Sequence, residues 1–250
     1  MPARSFSAAA VVHWPEFRAH AAASLSLTTI FFDAGGTIGF PDPALTLAAL
    51  AELHLFPSEE QLQAAERDAK RQFDAARDGH HSVDAQYWDL YYLSLFRELG
   101  IADDVRLRAA LVAAARSGIN WRRVRPDTRA VLERLKRRYR IGLISNSDGS
   151  VRRLFELLKL DQCFAGFTDS CHCGFEKPDR RIFECALAEL GARPEESLYV
   201  GDIYSIDFVG AQAAGMSAVL IDVAGAYRDT AYPRVESLGE LEACLEQWCS

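Results

Sequence analysis

The chain has 250 residues, with 49% hydrophobic and 25% charged residues, the make-up of an ordinary globular protein. Its net charge of −7 and pI near 5.4 argue against nucleic acid or an anionic membrane surface as the main partner. The apolar runs fall short of a membrane span.

Residues 1–27 are Ala/Ser-rich, with Arg4 and Arg18 and only Glu16 acidic. This is a faint likeness to a transit peptide, and the plainer expectation is a loosely held N-terminal extension with a short helix over His13–Ala23. The organising stretch follows. Thr29-Ile30-Phe31-Phe32 is a run of β-formers that ends at Asp33, and Gly35, Gly36 and Thr37 come next. This predicts a buried strand carrying a carboxylate to a sheet edge, with a loop that lets backbone approach a ligand. Gly39-Phe40-Pro41-Asp42-Pro43 is a turn cluster expected to halt the sheet pattern.

Residues 44–118 show no convincing strand. Leu62, Ala65, Ala69, Phe73 and Ala76 recur at helical spacing, as do Tyr87, Leu90 and Tyr91. Ser58 predicts an N-cap with a capping-box partner, and Gly79 and Gly100 predict helix stops. Lys70 is expected on a solvated helix face. Tyr87, Trp88, Tyr91 and Tyr92 read as core or as pocket lining. From Arg125 onward the pattern alternates. A helix opens at Pro126-Asp127, and a strand over Arg140–Ser145 and a helix over 149–159 come next. A strand near Phe164–Thr168 precedes a helix from Asp179 to about Leu190. Strand 197–201, helix 205–214, strand 217–222 and helix 237–248 close the chain. Strands alternating with helices predict a doubly wound, Rossmann-like parallel α/β sheet. The expected division is an extension (1–27), a discontinuous α/β core (28–40 plus 122–250) and a small all-helical insert (41–121). An insert placed directly after the first strand lies over that strand's carboxyl end, where a lid would sit.

Six cysteines show no Cys-x-x-Cys pair and no disulfide framework, so reduced thiols in a cytoplasmic protein are expected. Cys171-His172-Cys173 would present two thiols on one face of a strand but has no second ligand pair at zinc spacing.

Four stretches in order carry a resemblance: Asp33 with Thr37; Ser145-Asn146; Lys177-Pro178; and Gly201-Asp202 with Asp207. Together they resemble the haloacid dehalogenase superfamily with a helical cap after the first motif. The resemblance implies Asp33 as nucleophile, with Ser145, Asn146, Thr37 and Lys177 around the phosphoryl group. It also implies Mg²⁺ on Asp33, Asp202 and the Gly35 carbonyl, with Asp207 in support. The substrate it implies is a small phosphorylated metabolite.

One residue departs from the pattern. Where the family's phosphatases carry a second Asp as general acid/base, this chain has Gly35. The glycine keeps a carbonyl for the metal but has no proton to give, so weak turnover is expected, and Gly35→Asp should raise it. Asp148, Glu176 and the pair His80-His81 are candidate substitutes. Two other readings stay open: a non-catalytic binder of Mg²⁺ and phosphate or of a protein, and a metal-independent dehalogenase, against which Gly201-Asp202 argues. Substrate identity and oligomeric state are not legible.

Overall fold

The computed structural model describes residues 27–76 and 83–248. Residues 1–26 of the expected N-terminal extension, Gly79, His80, His81 and Cys249 lie outside them. Six parallel strands form one sheet in the order β5-β4-β1-β6-β7-β8. They are β1 (Thr29–Phe32), β4 (Arg140–Ser145), β5 (Gly166–Asp169), β6 (Ser197–Gly201), β7 (Ser217–Ile221) and β8 (Arg234–Val235). β1 is central: Phe32 pairs with Leu143 of β4 on one side and Val200 of β6 on the other.

The sheet is buried on both faces because its strands alternate between two apolar layers. Ile30, Phe32, Ile141, Leu143, Leu198 and Val200 point into one layer, with Val131, Leu132 and Leu135 from a helix over Thr128–Leu135 and Leu238, Leu241 and Leu245 from one over Leu238–Trp248. Phe31, Ile144 and Tyr199 point into the other, against Ile182, Phe183, Ala186 and Leu190 of the helix Arg180–Leu190. This is the doubly wound arrangement expected.

Between β1 and β4 the chain makes helices over Pro43–Thr46, Ala48–Ala51, Glu59–Ala75, Val83–Glu98 and Val105–Arg116. The third of these is labelled α3 below. Ser58 caps α3 as expected: its hydroxyl accepts from Gln61 N, and Gln61 Oε1 accepts from Ser58 N. The helices share a core that includes Leu50, Ala65, Phe73, Tyr92, Leu95 and Leu111 and also takes in Ile203 and Ile206 from the segment after β6.

Three details differ from expectation. The Gly39–Pro43 cluster does not end strand structure at once. Gly39–Phe40 (β2) pairs antiparallel with Arg123–Val124 (β3), so the chain enters and leaves the helical region through a two-strand neck. A carbonyl of Asn120 accepting from Asp42 N ties the same crossing. The segment after β6 opens with a wide π turn over Tyr204–Phe208 before the helix Val209–Ala213. Cys171-His172-Cys173 lies on a short helix, Ser170–Cys173, rather than a strand, because Asp169 caps it through Cys171 N. The two thiols therefore do not share a strand face. The described cysteines are free thiols. Among the described residues no helix is long and apolar enough to cross a membrane.

Candidate active site

Parallel strands all deliver their carboxyl ends to one edge, where ligands bind in open α/β sheets. Asp33 leaves β1 there, its N–H donating to the Val200 carbonyl at 2.8 Å. Ser145 ends β4, and Asp202 and Asp207 follow β6. Lys177 reaches in from the turn before the helix Arg180–Leu190. All five are buried.

Lys177 is the hub. Its ammonium donates to Asp33 Oδ1 at 2.6 Å, Asp207 Oδ1 at 2.7 Å and the Tyr199 hydroxyl oxygen at 2.9 Å. Burial alone would push its pKa down, but the carboxylates of Asp207 and Asp33 outweigh this and hold it above the ordinary lysine value. The Asn146 side chain fixes the lysine's backbone: its Nδ2 donates to the Lys177 carbonyl at 3.0 Å and its Oδ1 accepts from Lys177 N at 2.7 Å. Asn146 thus positions Lys177 through its oxygen and one of its two amide N–H groups. Ser145 lines the cavity, with only a long 3.5 Å contact to the Asn146 carbonyl. The Thr37 hydroxyl is buried and has no hydrogen-bond partner among the described residues.

Asp207 is committed elsewhere. Its Oδ2 accepts from Asp202 N at 3.0 Å and Ile203 N at 2.9 Å, and its Oδ1 takes Lys177 and Tyr199. It pins the loop that presents Asp202. Gly201 makes this possible, since a Cβ there would stand 2.3 Å from Asp207 Cγ. Gly36 has the same role across the site: its φ is +68°, and a Cβ would meet Asp202 Oδ2 at 2.3 Å.

Asp33, Asp202 and Asp207 bring carboxylate oxygens within 4.8 Å of one another. Burial pushes the Asp33 carboxyl up, to about 7, with Lys177 opposing and Asp207 and Asp202 adding. Burial also pushes Asp202 up, to about 6, with Lys70 opposing and Asp207 and Glu66 adding. A hard divalent ion relieves this concentration of buried negative charge, and an all-oxygen donor set suits Mg²⁺. With Asp207 engaged, Asp33 and Asp202 are the residues with capacity to hold it.

Above the carboxylates lies a cavity of about 200 Å³ walled by Tyr87, Trp88, Tyr91, Tyr92 and Trp121. The aromatic residues are both core and lining: Tyr87, Trp88 and Tyr92 are buried, and Trp88 packs edge-on to Trp121 at 5.5 Å. Trp121 also crowds the place where a side chain at position 35 would begin. A Cβ on Gly35 would sit 3.0 Å from its Cζ3 and 3.3 Å from Cε3 and Cη2. The indole is anchored by its Nε1, which donates to the Ala115 carbonyl at 2.8 Å. A side chain at position 35 would therefore need the indole to give by a few tenths of an ångström.

Among the described residues, neither candidate substitute for the missing acid, Asp148 or Glu176, fills the gap, and His80-His81 lie outside them. Asp148 lines the cavity, but bonds from Ser150 outweigh burial and hold its carboxyl below the usual range. Glu176 is exposed and does not line the cavity.

Lys70 overturns an expectation. It is fully buried, its ammonium 2.7 Å from Glu66 Oε1 and 2.9 Å from Asp202 Oδ2. The helix face expected in solvent is docked on the core. Sequence reasoning also missed Tyr199, Trp121 and Glu66. A tyrosine inside a buried strand needs a partner for its hydroxyl, and that signal could have found Tyr199.

A family model for haloacid dehalogenase-like hydrolases matches residues 27–215. The chain belongs to that family. Glyceraldehyde 3-phosphate phosphatase of Methanothermobacter thermautotrophicus is 41% identical over 100 residues, 39% of this chain and 44% of that protein, so the chain spans less than half of that relative's length. The enzyme of the same name from Methanopyrus kandleri is 30% identical over 193 residues, 70% of this chain and 82% of that protein. Among solved structures, the HAD-hydrolase YfnB from Bacillus subtilis, bound to magnesium, aligns with a TM-score of 0.62 at 20% identity, covering 87% of this chain and 98% of that one. This last likeness shows the fold.

Proposed function

We propose that this HAD-like hydrolase is a Mg²⁺-dependent phosphatase acting on a small phosphorylated metabolite whose leaving group departs without being protonated. The observation that carries the reading is the pairing of a lysine-bridged carboxylate, Asp33, with an aromatic cavity whose Trp121 crowds position 35. Two relatives named as phosphatases point to phosphoryl transfer.

Asp33 attacks phosphorus in line: its oxygen forms the new P–O bond as the bond to the leaving oxygen breaks, and water then displaces the aspartate. Lys177 holds Asp33 and offsets the charge of the phosphoryl group. Ser145 is placed to bond a phosphoryl oxygen, and Asn146 keeps Lys177 in register. Asp33, Asp202 and the Gly35 carbonyl would hold the Mg²⁺, which supplies charge stabilisation when bound. With no acid at position 35, a low-pKa leaving group such as a phenolate is favoured, and the aromatic walls suit an aryl or similarly apolar group. The helical region acts as the cap that encloses it.

The test is a panel of phosphate esters assayed with and without Mg²⁺. Aryl phosphates should turn over well ahead of alkyl phosphates, and chelation should stop both. Equal rates on alkyl esters would refute the leaving-group argument. The place of Trp121 also favours one rival, a non-catalytic binder, which predicts calorimetric Mg²⁺ and phosphate binding with no product from the panel. Halide release from a haloacid in the presence of a chelator would instead establish a dehalogenase.

A further inference from the structure

Helix α3 docks on the core by a row of charged residues. Arg67, Lys70, Arg71 and Asp74 recur at three- and four-residue spacing and so share one face. Arg67 Nη1 donates to the Ala224 carbonyl and Arg71 Nε to the Ala226 carbonyl, each at 3.1 Å. Asp74 accepts from Ser205 N at 3.1 Å and from the Tyr227 hydroxyl at 3.0 Å. All of these partners follow β6 and β7, around the carboxyl edge of the sheet. Lys70, in the middle of the row, is the member that enters the acidic cluster.

An ammonium buried this completely is costly to desolvate and stays only where carboxylates answer it. Glu66, one turn earlier on α3, supplies one, and Asp202 supplies the other. Asp202 is also the carboxylate proposed above to hold the divalent ion. An ammonium 2.9 Å from its Oδ2 neutralises the charge that would attract the ion and repels the ion itself.

We infer that Lys70 is a tethered cation that competes with the metal ion for Asp202, so that metal loading at the core works against docking of α3. The inference rests on the metal-site reading of Asp33 and Asp202. Glu66 makes the exchange workable: an ammonium displaced from Asp202 keeps a carboxylate partner on its own helix and is not stranded. Metal affinity is then set partly by a residue of the helical region. Conversely, the fit of α3 on the core is weakened when the ion arrives.

The experiment is calorimetric titration of MgCl₂ into the full chain and into Lys70→Met and Lys70→Arg. Methionine keeps the apolar stem and removes the charge, so Lys70→Met should bind Mg²⁺ about tenfold tighter or more. Lys70→Arg, which keeps the charge, should stay near the parent. Hydrogen exchange on the unmutated chain gives a second readout that does not depend on any variant folding: amides of residues 67–75 should exchange faster once Mg²⁺ is added. Equal Mg²⁺ affinity in the parent and a folded Lys70→Met, or slower exchange in residues 67–75 on adding Mg²⁺, overturns the competition while leaving the metal site standing. Absence of Mg²⁺ binding in the parent and both variants overturns the metal site and the competition together.

Discussion

Replacing Gly35 with Asp tests whether the first motif and Trp121 are matched. The new Cβ would begin 3.0 Å from the indole Cζ3, closer than ordinary van der Waals contact, with a carboxylate still to place beyond it. Trp121 cannot yield freely, because its Nε1 is bonded to the Ala115 carbonyl and its ring packs on Trp88. Forcing atoms into such a site typically costs about 1–3 kcal/mol. The single variant should therefore melt earlier than the parent and gain less than about tenfold in turnover of an alkyl phosphate, against the 10²–10⁴-fold that a well-placed general acid supplies. Trp121→Ala removes the obstacle, at a packing cost of about 2–3 kcal/mol for this half-buried ring. In that background Gly35→Asp should raise alkyl-phosphate turnover by about 10²-fold or more relative to Trp121→Ala alone. Steady-state kinetics on all four proteins, with thermal melts on each, form a double-mutant cycle. A gain of about 10²-fold from Gly35→Asp alone, with an unchanged melting temperature, would refute the claim that Trp121 crowds position 35. So would a flat response in the doubly substituted chain.

Lys177→Met leaves Asp33 and Asp207 facing each other without their shared ammonium. It should abolish turnover and cost about 3–5 kcal/mol in urea unfolding, as for any buried pair stripped of one partner; a loss under about 1 kcal/mol would contradict the account. Asn146→Ala removes both side-chain bonds to the Lys177 backbone and should cost about 1–3 kcal/mol and lower kcat more than it raises KM. A change in KM alone would show Asn146 binding substrate rather than positioning the lysine. Mg²⁺ affinity should rise with pH up to about 7 and then level, because Asp33, pushed up to about 7, and Asp202, pushed up to about 6, must lose their protons before they can ligate. Calorimetry in buffers of different ionisation enthalpy should register protons released at pH 6 and few at pH 8; pH-independent affinity would contradict the assignment.

The central sheet was legible because three of its four inner strands, β4, β1 and β6, are short apolar runs that stop at a candidate site residue. Asp33, Ser145 and Gly201-Asp202 stand where such runs end, and parallel pairing then carries all of them to one edge. The helix start at Ser58 was legible for a local reason, since both halves of its capping box lie within four residues. What could not be read depends on chain returns. The two-residue strands at Gly39–Phe40 and Arg123–Val124 carry no periodic signal, yet their pairing gathers the two ends of the helical region, with Trp121 beside Gly35. The spacing of Arg67, Lys70, Arg71 and Asp74 showed one polar helix face, and a polar face is most often solvated. Its partners at Asp202, Ser205, Ala224, Ala226 and Tyr227 sit on loops whose position only the folded core defines. Asn146 was expected beside the phosphoryl group from its place after Ser145, but its hold on the Lys177 backbone needed the turn before Pro178 to be seen in place.

The most direct test of the account is to trap the covalent intermediate. The chain is mixed with Mg²⁺ and an aryl phosphate, quenched in acid, digested and read by mass spectrometry. One phosphoryl group should appear on the peptide that carries Asp33 and be missing from Asp33→Asn. Phenol released at an undiminished rate by Asp33→Asn, or a label on any other residue, would contradict it.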